Sequence, residues 1–221
     1  MGAKDIRIKL IDSKSANSIC KTYHYSGKVV PNSQIHFGAF LNGKIEGVLQ
    51  FGPSTDKRRM AQNMGVKFHE FLELNRMAFS DVLPKNSESR AIAYCLRTLK
   101  KRYPQLKIII SFADACQCGD GAIYRASGFR LIDIKKNSSL LVGPGGDIIA
   151  RKSLDNSISS DGKYLTAVYR GKGYRPLVGA QMKYVYLFDK SLKYDFIDFN
   201  DIPSEVRMYK GKRQKHKSNV S

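Results

Sequence analysis

An α/β (α+β) fold, with a central mixed sheet flanked by helices, is the class this sequence predicts, and three observations predict it. Residues 106 to 130, LKIIISFADACQCGDGAIYRASGFR, read as a buried strand, a small polar loop, a short helix closed by glycine, and a second extended segment. Asn42-Gly43 stands between two alternating apolar runs, the strongest short-range signal for a hairpin. Amphipathic helical patterns at 13–23 and from about 87 interrupt the strands. The resulting order is β-α-β-β-β-α-β-α-β, followed by extra C-terminal strands and a basic tail.

Each element has a local reason. Ile6, Ile8 and Leu10 alternate with Arg7 and Lys9, a strand with one wet face. Ser13 is the expected N-cap of a helix to Tyr23, with Ala16, Ile19, Cys20 and Tyr23 at helical spacing. The hairpin runs from Ile35 to Phe51, and Gly52-Pro53 stops it. Residues 54–67 read as an exposed basic loop. Phe71–Phe79 reads as a strand carrying polar insertions at Glu73, Asn75 and Arg76. Asn86 or Ser87 caps the next helix, whose Ile92, Cys95, Leu96 and Leu99 fall on one face. Ile108–Asp114, a helix from Ala122 with Gly128 at its end, and Phe129–Ile134 form a βαβ-type unit. Leu140–Val142 and Ile148–Ala150 flank a Gly-Pro-Gly-Gly turn, a hairpin or flap within about 135–163. Tyr164–Tyr169 and Met182–Phe188 read as strands. The expected organisation is one domain over 1–203 and a basic, disordered tail over 204–221.

Charge narrows the function. Lys plus Arg is 38 against 19 acidic residues, a net +19. Leaving out the five cations of residues 210–217 still leaves +14, so the globular part is itself basic. A polyanion is the partner such a surface suits, nucleic acid first. The runs Lys57-Arg58-Arg59 and Arg170-Gly171-Lys172-Gly173-Tyr174-Arg175, together with Arg151, are the candidate phosphate contacts, or else solvated loops. No apolar stretch approaches the roughly 18 residues that span a bilayer, and the N-terminus carries no apolar export signal, so no membrane partner is expected. Cys116-x-Cys118 is too short for the usual zinc or redox spacing, and Cys20 and Cys95 lie on helical apolar faces.

The element order resembles the Gcn5-related N-acetyltransferase (GNAT) fold, and Gly121-Ala122-Ile123-Tyr124-Arg125-Ala126-Ser127-Gly128-Phe129 resembles its fourth helix. That resemblance implies that Tyr124 protonates the departing thiolate of CoA. The glycine-rich donor loop of those enzymes is replaced here by Pro84-Lys85-Asn86-Ser87-Glu88-Ser89. Four stretches in order, Glu73–Met77, Asn86–Arg90, Ser111–Asp114 and Ile123–Ser127, with His24-Tyr25 before them, are similar to the phage Mom family. These are divergent GNAT relatives that convert adenine in DNA to N6-carbamoylmethyladenine and so block restriction. The resemblance implies an enzyme, a transferase acting on double-stranded phage DNA, in the cytoplasm of an infected or lysogenic bacterial host. The rival readings are a GNAT acetylating a protein or RNA amine, and a non-catalytic DNA-binding protein.

The resemblance also assigns roles. Asp114 orients or deprotonates the adenine amine, or else caps its loop. Tyr124 is a general acid or a stacking partner for a flipped base, or else a core aromatic. Arg76, in an apolar strand, requires an anionic partner such as Glu73, Asp114 or a bound phosphate. Ser89 contacts donor or base, or else gives polarity to the first helical turn. His24, Tyr25, Asn75, Asn86, Ser87 and Ser111 are expected to bind substrate, and Lys85, Asn86, Ser87 and Arg90 the cofactor. Acetyl-CoA is the expected donor, with an activated glycine such as glycyl-tRNA, and therefore tRNA as a partner, as the alternative. Iron held by His24, His36 and Asp114 is a further candidate against two ordinary histidines. Oligomeric state is not readable from the sequence.

Overall fold

The computed structural model describes residues 2–24, 26–116, 119–151, 154 and 157–202. Tyr25, Cys118 and the tail 204–221 lie outside the described residues. The strands are β1 (Arg7–Leu10), β2 (Ile35–Leu41), β3 (Lys44–Gly52), β4 (Phe71–Phe79), β5 (Ile108–Asp114), β6 (Arg130–Lys136), β7 (Leu140–Val142), β8 (Ile148–Ala150), β9 (Arg175–Pro176) and β10 (Ala180–Leu187). The helices are α1 (Ser13–Tyr23), α2 (Lys57–Asn63), α3 (Ser87–Arg102), α4 (Ala122–Ala126) and α5 (Leu165–Gly171). Seven strands form a mixed sheet in the order β1-β2-β3-β4-β5-β10-β6, and β8-β7-β9 form a separate small one. No helix among the described residues is long and apolar enough to cross a membrane.

The chain divides into two compact units. The first comprises Met1–Phe112, Gly121–Ile132 and Lys183–Ile197; the second comprises Ala113–Asp120, Asp133–Met182 and a stretch from Asp198. In the first unit, Asn42 and Gly43 take φ of 50° and 81°, the left-handed pair a two-residue hairpin needs. β4 then pairs antiparallel with β3 and parallel with β5. Side chains alternate along β3, so Val48, Gln50 and Gly52 share one face and Leu49 and Phe51 the other. Val48 and Ala78 pack against Ala16 and Cys20 of α1, with Ile11, Ile19 and Val29 around them. Phe37 meets Phe51 edge-on at 6.0 Å and Tyr94 of α3 at 6.5 Å. A further core gathers Phe71, Ile108, Ile110 and Val185 under Leu192, Tyr194 and Phe196.

Four expectations change. The N-cap of α1 is Asp12, not Ser13: its carboxylate accepts the Ser15 backbone N–H at 2.8 Å and the Ser15 hydroxyl at 2.7 Å, and a carboxylate also suits the positive helix start. Residues 57–63 form a helix rather than a loop, capped by the Asp56 side chain on Arg59 N at 3.1 Å and anchored by buried Ala61. Seven residues are too few for a convincing period. Residues 165–171 are helical, not a strand, and the ring of Tyr169 packs on that of Tyr174 at 4.9 Å. Finally, β5 and β6 are not neighbours: β10, which begins only at Ala180, lies between them.

Candidate active site

A polar row crosses the α1 face of the sheet. His36, Gln50 and Arg76 stand directly opposite one another on β2, β3 and β4. Gln50 is fully buried and uses both ends of its amide. Nε2 donates to Asn17 Oδ1 at 3.0 Å and contacts His36 Nδ1 at 3.2 Å, while Oε1 accepts from Cys20 Sγ at 3.1 Å. Burial lifts the Cys20 thiol to about 11, with Arg76 pulling the other way, so Cys20 is a neutral donor rather than a nucleophile.

Arg76 is half-buried, and among the described residues neither Glu73 nor Asp114 pairs with it. Nε donates to the Lys28 carbonyl at 3.3 Å and Nη1 to the Asn75 carbonyl at 3.0 Å. Glu73 instead accepts from the Ser54 hydroxyl at 2.5 Å. A guanidinium has five N–H donors, and carbonyl dipoles do not cancel a unit charge, so Arg76 keeps both charge and donors for an anion.

His24, at the end of α1, lies within reach of that charge. Burial first and Arg76 second hold its imidazole down at about 4, so it is neutral near pH 7. Its Nδ1 accepts the Ser26 backbone N–H at 3.1 Å and meets the Ser26 hydroxyl at 2.8 Å. A neutral ring with Nδ1 accepting carries its proton on Nε2. His24 is thereby set as a hydrogen-bond donor rather than a proton acceptor.

Asn75 sits where β4 carries one residue more than β3: Gln50 pairs Arg76, and Phe51 pairs Leu74. Its buried Oδ1 accepts from Ser33 Oγ at 3.1 Å. The Asn32–Ser33 segment crosses β3 at Gly52, where a Cβ would fall within 2.4 Å of the Asn32 carbonyl oxygen and 2.8 Å of Asn75 Oδ1. Asn32 Nδ2 fixes that crossing on the Pro53 carbonyl at 2.6 Å.

The parallel pair β4–β5 opens close by. Its described pairing covers Phe71–Glu73 against Ile108–Ile110 and goes no further. Ser111 is the next residue on β5; it is fully buried and its hydroxyl has no hydrogen-bond partner among the described residues. A buried unsatisfied donor at the parting of two parallel strands is where ligands enter open sheets. At the start of α3, Asn86 is left-handed (φ 69°) and gives no side-chain cap. The N–H groups of Glu88 and Ser89 meet no acceptor among the described residues. Lys85 and Arg90 are exposed beside them. Open N–H groups, the positive helix end and two cations suit a phosphate or pyrophosphate, so the residues present fit a CoA-type donor. Ser87 does not: it is buried, and its hydroxyl donates to the Pro84 carbonyl at 2.6 Å, tightening the helix start. Ser89 Oγ donates to Asn86 O at 3.1 Å.

Tyr124 is only 8% exposed, with Phe129 and Tyr184 centred 5.6 and 5.5 Å away. Its ring therefore has no open face on which a flipped base could stack. In the second unit, Asp114 Oδ1 accepts the Cys116 backbone N–H at 3.0 Å. Asp114 also lines a pocket of about 90 Å³ with Lys135, Lys136, Ser138 and Gln181. Asn137 builds its wall, donating to the Leu140 and Leu177 carbonyls at 2.9 and 2.8 Å.

Of the basic residues singled out, Lys57, Arg58 and Arg59 lie exposed on α2, with Lys57 Nζ 5.3 Å from the Phe68 ring centre. Arg170 and Lys172 lie on and just after α5, and Arg175 is exposed on β9; Arg151 is half-buried. No group of three or more His, Cys, Asp or Glu side chains among the described residues is placed to hold a metal. His36 is instead part of the Gln50 network, and His24 is tied to Ser26. Sequence reasoning missed Gln50, Ser33 and Gly52, whose importance arises from long-range pairing alone.

A family model described as the Mom protein family matches residues 5–209. The chain belongs to the Mom family. Methylcarbamoylase mom of Escherichia phage Mu is 40% identical over 138 residues, 59% of this chain and 55% of that protein. The match thus spans about half the length of that Mom relative. Among solved structures, the Drosophila melanogaster polyamine N-acetyltransferase aligns over 83% of this chain and 100% of its own, with TM-score 0.50 and 11% identity. An IAA acetyltransferase of Bacillus cereus aligns over 83% and 99%, with TM-score 0.48 and 12% identity. At such identities the likeness concerns the fold: this Mom-family chain has a GNAT-like central mixed sheet flanked by helices.

Proposed function

We propose that the chain is a DNA-modification transferase of the acyltransferase type that converts adenine in DNA to N6-carbamoylmethyladenine. It would act in the cytoplasm of a phage-infected or lysogenic bacterium and shield phage DNA from restriction. The observation that carries the reading is the Mom family match, which runs through every motif stretch from His24 to Ser127. The basic surface supports a DNA partner, and adenine must leave the duplex stack for its amine to be reached.

The site supports a division of labour. The start of α3, with Lys85 and Arg90, would hold the anionic part of a CoA-type donor. Ser111 would satisfy its buried hydroxyl on the group entering between β4 and β5. Arg76 would bind an anionic or strongly polar oxygen, with the neutral ring of His24 beside it. Asn75, held by Ser33, would fix the wall of the site. Tyr124 would return a proton to the leaving group; the adenine amine falls to Asp114, in the second unit, by the family resemblance alone.

The test is digestion and mass spectrometry of DNA from cells expressing the wild type, Arg76→Gln and Asp114→Asn. N6-carbamoylmethyladenine is expected with the wild type and at least tenfold less with either variant. Unmodified adenine alongside confirmed wild-type expression overturns the reading. Growth on isotope-labelled acetate or glycine identifies the donor by the label carried into the adduct.

A further inference from the structure

A groove of about 510 Å³ lies in the first unit, lined by α3 (Ala93, Leu96, Arg97, Lys101), Ser127 after α4, and Tyr186 and Phe188 at the end of β10. The start of α3 is occupied by the candidate donor site; with 16 residues the helix is about 24 Å long, so its final turns are a separate place.

Three features give this groove a chemistry. First, its cations differ in what they do. Lys100 Nζ donates to the Pro104 and Leu106 carbonyls at 2.8 and 2.9 Å and so closes the chain after α3. Arg97 and Lys101, four residues apart on one face of α3, are exposed and have no carboxylate partner among the described residues. Second, the wall is aromatic. Tyr186 and Phe188 are two residues apart, both half-buried, with ring centres 5.2 Å apart at 72°. They end a chain of rings running Tyr184, Tyr124, Phe129, Tyr186, Phe188, each step between 5.2 and 5.6 Å. Third, the wall is braced: Phe188 N donates to Lys107 O at 2.8 Å, and Lys107 pairs with Glu70 at 3.0 Å.

Aromatic side chains beside exposed cations are how proteins hold unpaired nucleic-acid strands. Duplex DNA offers phosphates but keeps its base faces stacked. A second copy of the chain would bring another +19 charge against Arg97 and Lys101. We propose that this groove binds a single-stranded nucleic-acid segment, with a base against Tyr186 and Phe188 and the adjoining phosphates on Arg97 and Lys101. Where the chain opens DNA to reach its target base, the groove would retain part of the displaced strand.

The experiment is fluorescence anisotropy of the full chain with a labelled thymidine oligonucleotide and with a duplex of the same length, across a salt series. Removing both exposed cations, R97Q/K101Q, is expected to weaken single-strand binding about tenfold and to lower the slope of log K against log salt by about 1.4, about 0.7 per phosphate. Phe188→Leu is expected to weaken single-strand binding about tenfold with the slope unchanged and duplex binding nearly intact, the size of one lost base stack. Should Phe188→Leu unfold, the cation pair, being exposed, still decides the matter. Unchanged single-strand affinity and slope in R97Q/K101Q overturn the proposal. So does an equal loss for duplex, or a wild-type dimer in sedimentation that R97Q/K101Q abolishes. Groove-dependent binding by a protein that leaves adenine unmodified would sink the activity above and leave this inference standing.

Discussion

Gln50 and Arg76 face each other across β3 and β4 at the step where Asn75 makes β4 one residue longer. On one side Gln50 closes a network with Cys20, Asn17 and His36; on the other Arg76 keeps its charge beside His24. One sheet position thus joins a satisfied interior to a charged, ligand-ready edge.

The network predicts a stability effect. Gln50→Leu leaves the Asn17 and Cys20 groups and His36 Nδ1 without their buried partner. A loss of roughly 2–4 kcal/mol is expected in urea unfolding, about one desolvation penalty for each of the stranded groups. A loss below the error of the measurement would show that water replaces the amide.

His24 predicts a pH dependence. Its folded pKa is about 4, below the value of about 6.5 for an unperturbed imidazole. The unfolded chain therefore binds the proton more readily between those limits. Stability is unaffected above about pH 6.5 and falls as pH drops towards 4. NMR titration of the His24 ring should show a midpoint near 4, and Arg76→Gln should move it upwards by removing the neighbouring positive charge. A midpoint near 6.5 in the wild type would contradict both causes.

Ser111 separates folding from binding. Its hydroxyl is buried without a partner among the described residues, so Ser111→Ala should leave thermal stability unchanged or raise it, by up to about 1 kcal/mol. The same variant should lower adenine modification in cells. A destabilised Ser111→Ala protein would show that the hydroxyl already serves the fold.

Gly52 predicts the opposite pattern. A Cβ there meets backbone at 2.4 Å, which no rotamer change relieves. Gly52→Ala is expected to destabilise by roughly 2–3 kcal/mol, in the range of overpacked cores. It should also release Ser33 from Asn75, so modification should fall further than stability alone explains. Comparison with an equally destabilised core variant checks this.

The exposed basic face of α2 predicts a salt effect. Arg58→Gln with Arg59→Gln should weaken duplex DNA binding and lower the slope of log K against log salt by about 1.8, about 0.9 per phosphate. Melting temperature should not move, because neither side chain is buried.

Local patterns were enough to read α1, the β2–β3 hairpin, α3, β5 and the β7–β8 hairpin, because each carries its own period, turn residues or caps. Short helices such as α2 and α5 were not legible: seven residues give barely two turns, and tertiary anchors such as Ala61 decide them. The motif stretches, with the family resemblance, singled out Arg76, Asn75, Ser111 and Asp114 by residue type and order. What each does was not in that order. The contacts of Arg76 are two backbone carbonyls, which left a bound anion as the remaining choice among its expected partners, and the Pro84 carbonyl turned Ser87 into a helix staple. The insertion of β10 between β5 and β6 was equally invisible, since its partners lie tens of residues away. The sequence by itself determined the local elements, the charge and the family, because these follow from neighbours in the chain. Only the tertiary structure decided which polar groups are satisfied and which are left for a ligand, because hydrogen-bond partners are matched by distance in space.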